Sequence, residues 1–211
     1  MKTVPDHVFR GYDLRGVVGT ELDEENVLIL AKGYATYLLQ RRIYDCVIGF
    51  DSRESSPRFR DVFAKGLTGS GITVFDIGIT LSQICYFAQY YFRTRGMVVI
   101  TASHNPKEYN GYKVYWDDGA QVISPHDVGI INEVRKIKSL QEVKNKDFDL
   151  LVKEGMIEWL DDKMDEAFID EVLKLSINRE KIRGSKVKIV FTPLHGTGST
   201  IIPKALVKLG L

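Results

Sequence analysis

Gly96-Met97-Val98-Val99-Ile100-Thr101-Ala102-Ser103-His104-Asn105-Pro106 is an apolar, β-branched run that breaks off into hydroxyls, an imidazole, an amide and a proline. Such a run reads as a buried strand delivering a polar loop at its carboxyl end. In open α/β sheets ligands sit at that end of the strands. Asn110, Gly111 and Lys113 follow closely, so one short stretch gathers a candidate nucleophile, hydrogen-bonding groups and a cation.

Outward from this stretch, helical and strand patterns alternate. Between Glu24 and Gln40 the residues Val27, Ala31, Tyr34, Ala35 and Leu38 fall at helical spacing, with Asp23 as the cap. Cys46-Val47-Ile48-Gly49-Phe50 reads as a short buried strand that leaves Asp51, Ser52 and Arg53 at its carboxyl end, either to touch a ligand or to pair with each other. Ser56 and Pro57 open a second helix, striped by Phe59, Val62, Phe63 and Leu67 and stopped by Gly69 and Gly71. A strand over Ile72 to Ile77 follows. The next helix, Leu81 to Phe92, is rich in aromatics that read as core packing rather than a platform for bases.

With the strand before Thr101 this makes a β-α-β-α-β pattern whose connections favour parallel pairing. Tyr112–Trp116, the turn residues Asp117-Asp118-Gly119 and Ala120–Ile123 read as a hairpin, and Pro125 opens a helix through Ile137. The fold expected is α/β: a three-layer α/β/α domain around a mixed, mainly parallel four-stranded sheet. Lys136 to Asp149 is charged and weakly patterned, which marks a boundary. Residues 1–148 then form a first domain. Residues 149–185 form a bridging helical segment, striped by Met164, Ala167, Phe168, Val172 and Leu175. Residues 186–211 hold a strand over Val187 to Phe191, the loop Thr192 to Gly198 and a short helix. One strand and one helix cannot bury their own apolar faces, so this last unit reads as the start of a second, similar domain.

The 211 residues suffice for a sizeable core, and with 44% hydrophobic residues, 27% charged residues and a net charge of +1 the chain is an ordinary globular one. So balanced a charge gives no global case for nucleic acid or an anionic membrane, so any anionic ligand must be held by local cations. Cys46 and Cys85 lie in apolar runs and read as core thiols. No signal-peptide core and no membrane-length apolar run occurs, which makes a cytoplasmic location the expectation.

Ser103 is flanked by Ala102 and His104 rather than glycines, which argues against the sharp elbow of a serine hydrolase. No Gly-Lys-Ser or Gly-Lys-Thr occurs, and the four histidines are scattered, so neither a P-loop nor a His/Cys metal site is supported. What remains is a serine amid phosphate-friendly groups: Lys113 as a point charge, Arg15 as a planar fork, and backbone amides around Asn105 and Asn110. That setting suits a serine that itself carries a phosphoryl group. His104 reads as part of it or as a surface imidazole bonded within its own loop. Likewise Arg10 and Arg15, set among glycines near an aromatic ring, read as a phosphate grip or an ordinary turn.

The run Thr101 to Pro106 resembles the phosphoserine signature of the α-D-phosphohexomutases, the phosphomannomutase and phosphoglucomutase superfamily. Phe9-Arg10-Gly11-Tyr12-Asp13-Leu14-Arg15-Gly16 resembles its amino-terminal motif, and Asn110-Gly111-Tyr112-Lys113 and Gly119-Ala120 match in order and spacing. The resemblance implies an isomerase in which Ser103 donates its phosphoryl group to a hexose monophosphate, through a bisphosphorylated sugar, moving phosphate between O1 and O6. It implies Mg²⁺ bound through the phosphate on Ser103, and glucose 1,6-bisphosphate or its mannose analogue as activator. Lys113 would be the general acid/base, His104 and Asn105 would orient the phosphate, and Tyr12 and Arg15 would face the sugar.

Two departures accompany it. Phe50 stands where that family often has an arginine, and the Asp-Gly-Asp-x-Asp-Arg metal loop, the sugar-selecting loop and the fourth domain are not among these residues. The expectation is therefore the amino-terminal part of a mutase, inactive by itself, with a small phosphosugar as partner and the sugar and oligomeric state open. The alternatives are a short non-catalytic phosphosugar-binding module, or a mutase for aminosugar or pentose phosphates.

Overall fold

The computed structural model describes residues 4–11, 13–138, 148–160 and 162–211. Its elements are β1 (Asp13–Val17), α1 (Glu24–Leu39), β2 (Asp45–Phe50), α2 (Ser56–Thr68), β3 (Thr73–Ile79), α3 (Ser82–Phe92), β4 (Met97–Ile100), β5 (Tyr109–Tyr115) and α4 (His126–Lys136). After these come α5 (Phe148–Lys153), β6 (Ile157–Trp159), α6 (Asp162–Lys174), α7 (Arg179–Arg183) and α8 (Ile202–Leu209). They build one sheet in the order β1-β5-β4-β2-β3-β6. The sheet has six strands rather than the expected four. It is mixed and mainly parallel: β4, β2, β3 and β6 run together, while β5 is antiparallel to both β4 and β1.

Side-chain alternation across the pleat divides the core into two layers. On one face Val98, Ile100, Tyr112 and Val114 pack with α1, α2 and α4. On the other face Val47, Val99 and Tyr115 pack with Ile84, Cys85 and Ala88 of α3 and with Met164, Ile169 and Leu173 of α6. Both cysteines are free and buried, and burial pushes both thiols up, which keeps them protonated and inert. The expected helices are present, and Asp23 caps α1 by accepting the Asn26 amide at 3.0 Å. Among the described residues no helix is long and apolar enough to cross a membrane.

Four expectations change. The arginine-glycine segment, read as a phosphate grip or an ordinary turn, contains β1, paired from Asp13 with Lys113 to Val17 with Tyr109. Only one β-bridge, Tyr115 to Gln121, remains of the return arm of the expected hairpin. β1 occupies that edge of β5 as far as Lys113, so only the last two residues of β5 are free to pair. The bridging segment contributes β6, which extends the sheet beyond β3. Val187–Phe191 is not a strand: Val190 is 98% exposed, and without neighbouring strands this apolar run has no ladder to join. Residues 139–147 of the expected boundary lie outside the described residues.

Where β1 crosses β5, Gly111 faces Arg15, and a Cβ added at Gly111 would strike the Leu14 carbonyl. Gly111→Ala is expected to cost about 1–3 kcal/mol by forcing these backbones apart, read as a lower denaturation midpoint at unchanged slope.

Candidate active site

The chain leaves β2 for α2 and β3 on one side, then returns through α3 to β4 on the other side of β2. Connections therefore diverge between the carboxyl ends of β2 and β4, which opens a crevice there; in doubly wound sheets this switch point is the binding place. Residues 51–55 form one lip and residues 101–108 the other.

Ser103 sits exposed on the second lip, with φ at 58°, in the left-handed region that non-glycine residues seldom adopt. The surroundings hold it there. Thr101 Oγ1 accepts the Ser103 amide at 2.9 Å and donates to Asp51 Oδ2 at 2.7 Å. The Asn105 amide donates to the Ala102 carbonyl.

Asp51 and Arg53 pair with each other, Nε to Oδ2 at 3.1 Å, with side chains only 18% and 11% exposed. Arg53 also crosses the crevice: Nη1 donates to the carbonyls of Pro106 (2.7 Å) and Tyr109 (3.0 Å), and Nη2 to those of Ser103 (3.0 Å) and Asn105 (2.7 Å). Ser56 Oγ donates to Asp51 Oδ1 at 2.6 Å. Buried Asn110 donates to the hydroxyls of Ser55 (2.7 Å) and Ser56 (3.0 Å), and its Oδ1 takes the Gly111 amide.

Arg15 approaches from β1. Its Nη1 donates to Asn105 Oδ1 at 2.7 Å, while Nε and Nη2 hold Asp13 Oδ2 at 3.0 and 2.6 Å. Lys113 lies opposite Asp13 across β1 and β5 and opposite Val99 across β5 and β4, on the sheet face it shares with Arg15 and Tyr115. It is half-buried and forms no ion pair among the described residues. Burial, helped by the Tyr86 hydroxyl, holds the Tyr115 phenol protonated.

The structure thus brings Ser103, Asn105 and Arg15 together and sets Lys113 on their side of the sheet. His104 is exposed on the same loop. Tyr12 lies outside the described residues. Phe50 is buried in the core, with the Arg60 guanidinium 5.0 Å from its ring centroid.

Sequence reasoning left Asp51 and Arg53 undecided and missed Thr101, Ser55 and Ser56 as supports. An Asp-x-Arg at a strand end facing a second polar strand end was the signal available. Ser52 Oγ donates to the His195 carbonyl at 3.4 Å, so the Thr192–Gly198 loop rests against the first lip.

Magnesium prefers an octahedral set of oxygens. The carboxylates here are already engaged, Asp13 by Arg15 and Asp51 by Arg53, Thr101 and Ser56. No group of three His, Cys, Asp or Glu among the described residues is placed to hold a metal. The side chains of this segment do not fit a metal cage by themselves.

A family model described as phosphoglucomutase/phosphomannomutase, alpha/beta/alpha domain I, matches residues 6–141. A phosphomannomutase from Vibrio cholerae is 39% identical over 147 residues, covering 69% of this chain and 30% of its own. A human phosphopentomutase is 32% identical across 91% of this chain and 34% of its own, and a Staphylococcus haemolyticus phosphoglucomutase is 33% identical across 92% and 35%. The chain therefore spans about a third of the length of these relatives. The Paramecium phosphoprotein pp63/parafusin, a phosphoglucomutase in an open form, shares the fold, with a TM-score of 0.77 at 16% identity over 95% of this chain and 41% of its own. With the match running through the strands, the Ser103 loop and the helices that flank them, the chain belongs to the phosphoglucomutase/phosphomannomutase family, residues 6–141 being its α/β/α domain I.

Proposed function

We propose that this chain is the phosphoryl-carrying part of a phosphohexomutase that interconverts sugar 1-phosphates and 6-phosphates. The observation that carries the reading is the state of the hydroxyls at the switch point. Ser52, Ser56 and Thr101 each donate within the protein, and Ser55 accepts from Asn110. Ser103 Oγ has no partner among the described residues and stands in solvent. A nucleophile or phosphate carrier needs such a hydroxyl.

In this reading phosphorylated Ser103 loses its phosphoryl group to a sugar hydroxyl. The P–Oγ bond breaks, a bond from phosphorus to the sugar oxygen forms, and the proton of that hydroxyl passes to Ser103 as it leaves. Lys113 moves this proton and offsets charge in the transition state. His104 and Asn105 orient the phosphoryl group, with Arg15 holding Asn105, and Arg15 and Tyr12 face the sugar. The second transfer returns the other phosphoryl group to Ser103.

Residues 1–148 would be the first domain, 149–185 its link and 186–211 the opening of a second. Because the relatives are about three times as long, complete turnover is assigned to a protein of their length, with Mg²⁺ and a sugar bisphosphate as activator. No step is assigned to the metal here. The relatives are named for mannose, glucose and pentose phosphates; our reading takes a hexose, mannose or glucose, as the sugar, with an aminosugar or pentose phosphate as the alternative. Incubating the 211 residues with Mg²⁺, glucose 1,6-bisphosphate and glucose or mannose 1-phosphate should yield no 6-phosphate. Conversion by these residues alone would overturn this division of labour.

A further inference from the structure

We infer that Arg53 is a positioning residue that acts mechanically: it fixes the Ser103 loop through its fork of N–H groups and does not neutralise the phosphoryl charge. This deepens the reading of Ser103 as a phosphate carrier and rests on it in that one respect. A guanidinium has five N–H donors. Here one goes to Asp51 and four go to the carbonyls of Ser103, Asn105, Pro106 and Tyr109. No donor is left for a phosphate oxygen. An arginine beside a phosphorylated serine would ordinarily be assigned to the phosphate, and the bond count assigns this one elsewhere.

The geometry also says what is fixed. The two lips belong to strands whose connections diverge, so nothing in the ladder of β2 and β4 ties residues 51–53 to residues 103–109. Arg53 supplies that tie, and Asp51 aims it, since Asp51 Oδ2 takes both Arg53 Nε and the Thr101 hydroxyl that holds the Ser103 amide. Both peptide planes that flank Ser103 are thereby specified, the one before it through its amide on Thr101 and the one after it through its carbonyl on Arg53. A left-handed serine persists only where its surroundings over-determine it.

The test separates fork from charge. Lysine keeps the charge but is a point donor with three N–H groups on a flexible stem. On the 211-residue chain, amide hydrogen exchange at residues 103–109 should accelerate about tenfold or more in both R53K and R53A, while amides within α1 change far less. Added guanidinium should slow loop exchange in R53A and leave R53K unaffected. If R53K protects the loop like the wild type, or if guanidinium does nothing to R53A, the mechanical role is overturned.

The phosphorus-31 signal of the phosphorylated chain gives a second readout that a general loss of stability would not reproduce. In R53K and R53A the phosphoserine line should narrow toward that of a free phosphopeptide, with its titration midpoint unchanged from wild type. A raised midpoint would mean Arg53 does neutralise the phosphate, and the inference fails. Absence of any phosphoserine signal in the wild type would sink the carrier reading instead, and the exchange data would then decide the clamp alone.

Discussion

Ser103→Ala is expected to remove the phosphoryl group from the chain completely. Intact mass should fall by about 80 Da on phosphatase treatment of the phosphorylated wild type, and the variant should show no such loss. The comparison is sharp because the crevice holds five hydroxyls. Replacing Thr101 would release the Ser103 amide and one bond to Asp51, and replacing Ser56 would disturb both Asp51 and Asn110. Ser103 Oγ supports nothing among the described residues, so alanine there should leave the melting temperature near its original value. A variant that still loses the mass would place the phosphate on another side chain and sink the carrier assignment. A variant that unfolds would show that the hydroxyl is structural.

The second large effect is on stability, at Arg60 and Asp76. Asp76 on β3 is fully buried, takes Arg60 Nη1 at 2.5 Å on one oxygen and the Gly78 amide at 2.9 Å on the other. Arg60 lies between Phe50 and Trp159, with ring centroids 5.0 and 4.9 Å away. Arg60→Met keeps most of the apolar stem and leaves a buried carboxylate without its cation. That should cost about 3–5 kcal/mol by denaturant titration.

The pH dependence follows from burial, which pushes the Asp76 carboxyl up more strongly than Arg60 and the Gly78 amide pull it down. A carboxyl raised in the folded state binds more protons folded than unfolded between the two titration points. Its contribution is therefore fully present below the unfolded value, about 3.9, and is lost as pH rises through the raised folded value. Without Arg60 the folded value moves further up. The defect of Arg60→Met should accordingly be largest at neutral pH and shrink on acidification, and Arg60→Met with Asp76→Asn should recover much of it. A defect that is constant with pH would mean that lost packing, not the stranded charge, is responsible.

How far the residues alone disclosed this molecule depends on where each element draws its stability. Val98, Val99 and Ile100, or Phe59, Phe63 and Leu67, declare themselves because burial sets their spacing. The β1 residues Asp13-Leu14-Arg15-Gly16-Val17 carry two apolar side chains, Leu14 and Val17, three positions apart with a glycine between them, so no alternation marks the strand; it exists because β5 pairs with it, with Gly111 admitting the close approach. Val187–Phe191 is the reverse case, a β-competent run with no neighbour. At the site, Ser103, Asn105 and Arg15 were legible as a group because strand ends and arginine-glycine turns mark themselves. Asp51 and Arg53 were not, because the same two residues serve equally well as a ligand grip or an internal tie. Only the carbonyls facing the guanidinium settle that, and carbonyls leave no trace in a sequence.

One consequence lies in the reversal between β4 and β5. In the other crossovers of this sheet a strand-end loop runs into a helix, which can tilt. The Ser103 loop instead re-enters the sheet at once, since Ile100 pairs with Tyr112 and the next strand begins at Tyr109. Ser103 therefore rides on an eight-residue span rooted in the sheet at both ends and tied in between by Thr101 and Arg53. The reaction proposed above must present two different oxygens of one sugar to a serine so anchored, which leaves one partner free to turn. The small molecule has to do the turning, and the rest of such an enzyme must keep hold of it without holding it still.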